Sequence, residues 1–144
     1  MNYKKYLILA LMVLTVTGLV VAPGCTAGEV ETPVQQIEDI SAQDAWKLVQ
    51  DNRENPDFIV LDVRTPEEYS EGHVEGAINV NYNAPNFSDV MDIVYKDKAY
   101  LVYCRSGKRS GGALAIMEEK GFLEIYHMNG GILEWTAEDL PLEN

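Results

Sequence analysis

The sequence predicts an α/β protein, a single domain with a five-stranded parallel sheet flanked by helices on both faces. Three observations predict it. Short apolar runs alternate with segments of helical period along residues 35–143, and joined by short connections such units close into one parallel sheet with helical crossovers. Two of the runs, FIVLDV at 58–63 and AYLVY at 99–103, are nearly continuous in apolar residues, as strands covered on both faces are. The length, 144 residues, suits one domain with a full core, and no internal repeat is present.

The elements follow in order. Residues 36–40 read as a strand, and Ser41 with Asp44 three positions on resembles a capping box for a helix carrying Ala45, Trp46, Leu48 and Val49. Residues 52–57 form the exit turn before the strand at 58–63. Thr65-Pro66-Glu67-Glu68 then starts a second helix, with Thr65 as cap, Pro66 at the first position and Glu68 closing the box, and Gly72 stops it. A short third strand at 77–80 precedes a helix over 86–95 that carries Val90, Ile93 and Val94. After the central strand at 99–103, a basic, glycine-containing stretch at 105–112 leads into a helical pattern of Ala113, Leu114, Ile116 and Met117, ended by Gly121. The fifth strand is 123–128, and Gly130-Gly131 opens a last short helix with Leu133 and Trp135. Trp46 and Trp135 are read as core.

Ahead of this domain stand Lys4 and Lys5, an apolar run at 7–21, small residues and Cys25. A positive end, an apolar middle and a small-residue exit are the order of a secretory signal. VAPGC resembles the lipobox of prokaryotic lipoproteins, which predicts a signal peptide at 1–24 and lipidation of Cys25. Ala22 stands where that pattern has Leu, with Pro23 beside it, so cleavage after Ala27 by an ordinary signal peptidase and an uncleaved anchor are the competing readings. All three place the domain outside the cytoplasmic membrane, behind an acidic tether at 25–34 that contains Pro33. They also leave Cys104 without an intramolecular partner, which excludes a disulfide-built fold.

The chain is acidic, with 23 Asp and Glu against 11 Lys and Arg and a formal net charge of −12, which excludes nucleic acid as a partner. Against that background Arg105, Lys108 and Arg109 fall within five positions that hold no acid. A local positive site on an acidic body suits a small anionic substrate. Cys104 stands at the end of the central strand, where a parallel sheet keeps its functional sites. The first turn of the helix that follows has unpartnered N–H groups and the positive end of the helix dipole, which stabilise a thiolate. The structural alternative is an inert buried cysteine.

Three segments carry a resemblance. LDVRTPEEYSEGHVEGAINV at 61–80, CRSGKRS at 104–110 and GGILEWTAEDLP at 130–141 resemble the three signature segments of the rhodanese family, in order and spacing. The resemblance implies a five-stranded parallel sheet with helices, and transfer of sulfane sulfur from an anionic donor such as thiosulfate to cyanide or a thiol. It implies a persulfide on Cys104, cradled by the N–H groups of Arg105, Ser106, Gly107, Lys108 and Arg109, with Ser110 also in the substrate-binding segment and no cofactor. Asp62 and Arg64, alternate positions at a strand end, are read as a structural ion pair near that loop, and His73 as structural. His127 has no second Cys or His at ligand spacing, so no metal site is expected. Two further classes compete: a persulfide carrier or binding module for a protein acceptor, and a cysteine-dependent phosphatase or arsenate reductase. The phosphatases that share this fold use a C-x5-R loop, whereas Cys104 to Arg109 is C-x4-R, a cradle one peptide unit smaller.

Overall fold

The computed structural model describes residues 34–144. Ten elements alternate along them: β1 (Gln36–Ile40), α1 (Ala42–Asp51), β2 (Phe58–Asp62), α2 (Pro66–Ser70), β3 (Ile78–Asn79), α3 (Phe87–Ile93), β4 (Ala99–Tyr103), α4 (Lys108–Glu119), β5 (Glu124–Met128) and α5 (Gly131–Ala137). The five strands form one parallel sheet in the order β1-β5-β4-β2-β3. β4 is thus central, and its carboxyl end delivers Cys104.

The period-two alternation of β4 separates two apolar layers. Leu101 and Tyr103 point to one face, where Ala42, Ala45 and Val49 of α1 and Ile132 and Trp135 of α5 pack. Tyr100, Val102 and the Cys104 side chain belong to the other, with Phe87 and Met91 of α3 and Ala113 and Met117 of α4. Trp135 is fully buried, its ring edge-on to Trp46 and its indole N–H donating to the Pro141 carbonyl at 2.9 Å. Burying each side chain of such size stabilises by about 1.5–3 kcal/mol, which outweighs any single surface contact.

Local chemistry sets the helix starts. Thr65 closes a reciprocal capping box with Glu68, and Pro66 occupies the first helical turn. At α1 the box is not reciprocal: Ser41 Oγ accepts from the Asp44 N–H at 3.1 Å and also donates to the Asp44 carboxylate at 2.6 Å. The aspartate is one methylene shorter than the glutamate at the second cap, and it meets the hydroxyl instead of the cap's backbone N–H.

Several boundaries differ from expectation, those of α3 and β5 by only one or two residues at an end. β2 ends at Asp62, and β3 keeps only two residues because it is the sheet edge with β2 as its one paired neighbour. α4 begins at Lys108, so Lys108 to Gly112 are helical and not part of the loop. The reason is Gly107, which caps α4 with φ +85°. Its left-handed conformation turns the chain into the helix at once, and a Cβ there would fall 1.9 Å from the Asn129 carbonyl oxygen. Cys25 and the signal-like run lie outside the described residues.

Candidate active site

Cys104 leaves β4 with its side chain 1% exposed, at the floor of a loop whose rim residues Arg105, Ser106 and Lys108 are exposed. Backbone N–H groups of Ser106, Arg109 and Ser110 converge on the sulfur, and the Ser110 hydroxyl lies 3.4 Å from it. Burial pushes the thiol pKa up. The Ser110 hydroxyl and the three N–H groups outweigh that burial, and the thiol ends below its ordinary value. Two of those N–H groups, from Arg109 and Ser110, belong to the opening turn of α4, where no intrahelical acceptor competes for them.

A loop can aim its N–H groups inward only if its carbonyls are satisfied elsewhere. α5 does this: the N–H of Ile132 donates to the Cys104 carbonyl at 2.9 Å, and that of Leu133 to the Arg105 carbonyl at 3.1 Å. The approach is close enough that a Cβ on Gly131, at φ +61°, would sit 2.6 Å from both carbonyl oxygens. The GGILEW segment and the CRSGKRS segment are therefore one device in two pieces of chain.

The sequence-predicted residues divide into three groups. Cys104, Ser106, Arg109 and Ser110 meet at the sulfur, and Gly107 supplies the turn between them. Arg105 and Lys108 stand on the rim. Asp62, Arg64 and His73 form a framework beside it. Arg64 is buried and forks onto Asp62, with Nη2 at 2.7 Å, and the same nitrogen donates to the Gly72 carbonyl at 2.7 Å. His73 stacks on Tyr69 with 3.8 Å between ring centroids, its Nδ1 is 3.1 Å from the Tyr69 carbonyl, and its backbone bridges to Glu143.

Sequence reasoning missed two partners. Arg109 is not a solitary cation: its Nη1 and Nη2 donate to the two carboxylate oxygens of Glu68 at 2.6 and 2.7 Å. Glu68 thereby does two tasks, capping α2 and clamping α4, and the Arg109 guanidinium holds its carboxyl down at about 2. His127 is the second, with its Nε2 2.9 Å from the Ser110 hydroxyl. Neither pair has a signal in the sequence, since each joins residues far apart along the chain.

Comparison with known proteins agrees with this architecture. The family model for the rhodanese-like domain matches residues 41–138. A sulfurtransferase of Allochromatium vinosum is 30% identical over 99 residues, covering 69% of this chain and 91% of the relative. The thiosulfate sulfurtransferase GlpE of Coxiella burnetii is 33% identical over 101 residues, covering 69% of this chain and 88% of the relative. A tRNA uridine(34) hydroxylase of Cronobacter sakazakii is 34% identical over 88 residues, but the matched region is only 25% of that protein. Among solved structures, a rhodanese-related protein from Thermoplasma volcanium superposes with a TM-score of 0.61 at 29% identity, over 74% of this chain and 97% of its own. With the family model matching about two thirds of the chain and the solved fold superposing on it, this chain belongs to the rhodanese-like domain family.

Proposed function

We propose that this protein is a sulfurtransferase that moves sulfane sulfur from thiosulfate, or a similar anionic donor, to a thiophilic acceptor through a persulfide on Cys104. The observation that carries the reading is the buried Cys104 sulfur with three backbone N–H groups and one hydroxyl directed at it. The Cys104 thiolate attacks the outer sulfur of thiosulfate. The S–S bond of the donor breaks, its electron pair leaves with sulfite, and Cys104 keeps a persulfide anion. Cyanide or a thiolate then attacks the terminal sulfur, and the Cys104 thiolate departs as the leaving group. Negative charge stays in the cradle throughout, so preorganised N–H donors serve both half-reactions and no proton has to be moved.

Arg105 and Lys108 on the rim give a dianionic donor a local attraction on a body of net charge −12. The reading extends to the N-terminus, where Lys4, Lys5, the apolar run and VAPGC support a lipid anchor at Cys25 that holds the domain outside the cytoplasmic membrane.

The test is the intact mass of the purified protein after incubation with thiosulfate. The expected result is a gain of one sulfur atom that disappears on adding cyanide and never forms in Cys104→Ser, whose melting temperature stays near wild type. Sulfur transfer by that variant, or aryl phosphate hydrolysis outpacing sulfur transfer in wild type, would overturn the assignment.

A further inference from the structure

Behind the nucleophile lies a buried side chain for which sulfur transfer alone has no use. His127 of β5 is 6% exposed, with Nε2 2.9 Å from the Ser110 hydroxyl and Nδ1 2.7 Å from the Asp39 carboxylate on β1. The same hydroxyl is 3.4 Å from the Cys104 sulfur and 3.1 Å from the Gly107 carbonyl. A hydroxyl has one proton to donate, so these acceptors compete for it.

Asp39 decides how the ring takes part. A carboxylate at Nδ1 keeps a proton on that nitrogen, which leaves Nε2 of the neutral ring as a bare acceptor. Nε2 then draws the Ser110 proton and the sulfur loses a donor. In the imidazolium form Nε2–H instead donates to the Ser110 oxygen, and the hydroxyl proton is released to the sulfur. We propose that His127, held by Asp39, is a positioning residue that turns the Ser110 hydroxyl toward Cys104 when the imidazole is protonated and away from it when neutral.

Three elements packed against β5 carry the groups nearest the ring among the described residues. From β1 the group facing it is Asp39, and β4 pairs apolar Val102 with it in register and ends at the Cys104 sulfur. From α4 come Ser110 and, in the same turn, Lys108 and Arg109, the latter bound to Glu68. The ring thus sits between one carboxylate and one thiol, joined to the second through a single hydroxyl.

The inference rests on the Cys104 thiolate being the reactive group, as in the reading above, and it is tested without a sulfur donor. Alkylation by iodoacetamide, followed on the Cys104 peptide by mass spectrometry over a range of pH, reads the thiolate fraction. Wild type should show two inflections, and His127→Gln, which puts a non-titrating amide in the ring's place, should show one. Where the imidazole is protonated, Ser110→Ala should lower the thiolate fraction roughly tenfold, since it removes one hydrogen bond to a charged group, and where the ring is neutral it should change little. In the Ser110→Ala background His127→Gln should add nothing.

Asp39 has a side chain 62% exposed on an edge strand, so Asp39→Ala keeps the fold and carries the test if the histidine variant does not. It should release the neutral-ring proton from Nδ1 and weaken the dependence of alkylation on the Ser110 hydroxyl. In wild type, nitrogen NMR of the neutral ring should find the proton on Nδ1. Equal effects of His127→Gln with and without the Ser110 hydroxyl, or a neutral ring protonated on Nε2, would overturn the proposal. Persulfide formation would survive that outcome, whereas a protein with the coupling but no persulfide would instead sink the sulfur-transfer reading.

Discussion

Glu68→Gln removes one charge from the clamp between α2 and α4 while keeping the rest of the geometry. The amide oxygen of Gln can still accept from the Thr65 N–H, which Glu68 does at 3.1 Å, so the helix cap survives. What is lost is the charged half of a bidentate pair at 2.6 and 2.7 Å, whose side chains are 21% and 27% exposed. The Glu68 carboxyl is lowered from 4.5 to about 2 by Arg109, a displacement that corresponds to at most about 3.4 kcal/mol at roughly 1.36 kcal/mol per unit. Solvent screens a pair that is a quarter exposed, and the expected loss at pH 7 is about 1–2 kcal/mol. The pH dependence has a definite sign. A carboxyl with a depressed folded pKa contributes fully above its unfolded value and loses that contribution as pH falls through the folded one. Between an unfolded value of 4.5 and a folded value of about 2, linkage leaves about 40% of the wild-type advantage at pH 3. Urea denaturation of both proteins at pH 7 and pH 3 measures this difference directly. A gap that is unchanged or wider at pH 3, or that is absent at pH 7, would refute the clamp.

Three further outcomes are expected. Gly107→Ala demands a left-handed alanine and drives its Cβ into the Asn129 carbonyl, so it should cost more than about 2 kcal/mol in stability and slow Cys104 alkylation, read by thermal melting and iodoacetamide kinetics. Insertion of one residue between Gly107 and Arg109 enlarges the cradle and should weaken thiosulfate:cyanide transfer in a side-by-side assay with aryl phosphate; unchanged transfer would mean that loop length does not select the substrate. Cys25→Ser should move the protein out of the membrane fraction and remove the diacylglycerol-plus-acyl mass, and an unmodified chain beginning at Gly28 would show ordinary signal cleavage instead.

The fold was legible wherever a local rule writes structure. Thr65-Pro66-Glu67-Glu68 states a helix start in four letters, and AYLVY followed by Cys104 states a buried strand ending at a site. The helical pattern starts at Ala113, five residues after α4 itself begins, because two glycines, Gly111 and Gly112, argue locally against a helix. Packing overrides them: at Gly112 a Cβ would meet the Tyr82 hydroxyl at 2.4 Å, so the helix needs a residue without one. The candidate site was legible as far as its loop and no further. Which carboxylate answers Arg109, and what stands behind Ser110, depend on strand order: β1 lies beside β5 and so brings Asp39 to His127, a pairing that no spacing in the sequence encodes. The Asp62–Arg64 pair was the exception, because two residues apart on one strand end is a local relation.

The grip of α5 on the carbonyls of Cys104 and Arg105 bears on how the protein is made. Synthesis runs from the N-terminus, so β4, the loop and α4 all exist before Ile132 and Leu133 are joined to the chain. Until then the two loop carbonyls have only water to bind, and of the amides that face the sulfur those of Arg109 and Ser110 are set by α4 while that of Ser106 is free to turn away. The last helix therefore completes the cradle, and the loop around Cys104 has its full set of backbone partners only once the domain is whole.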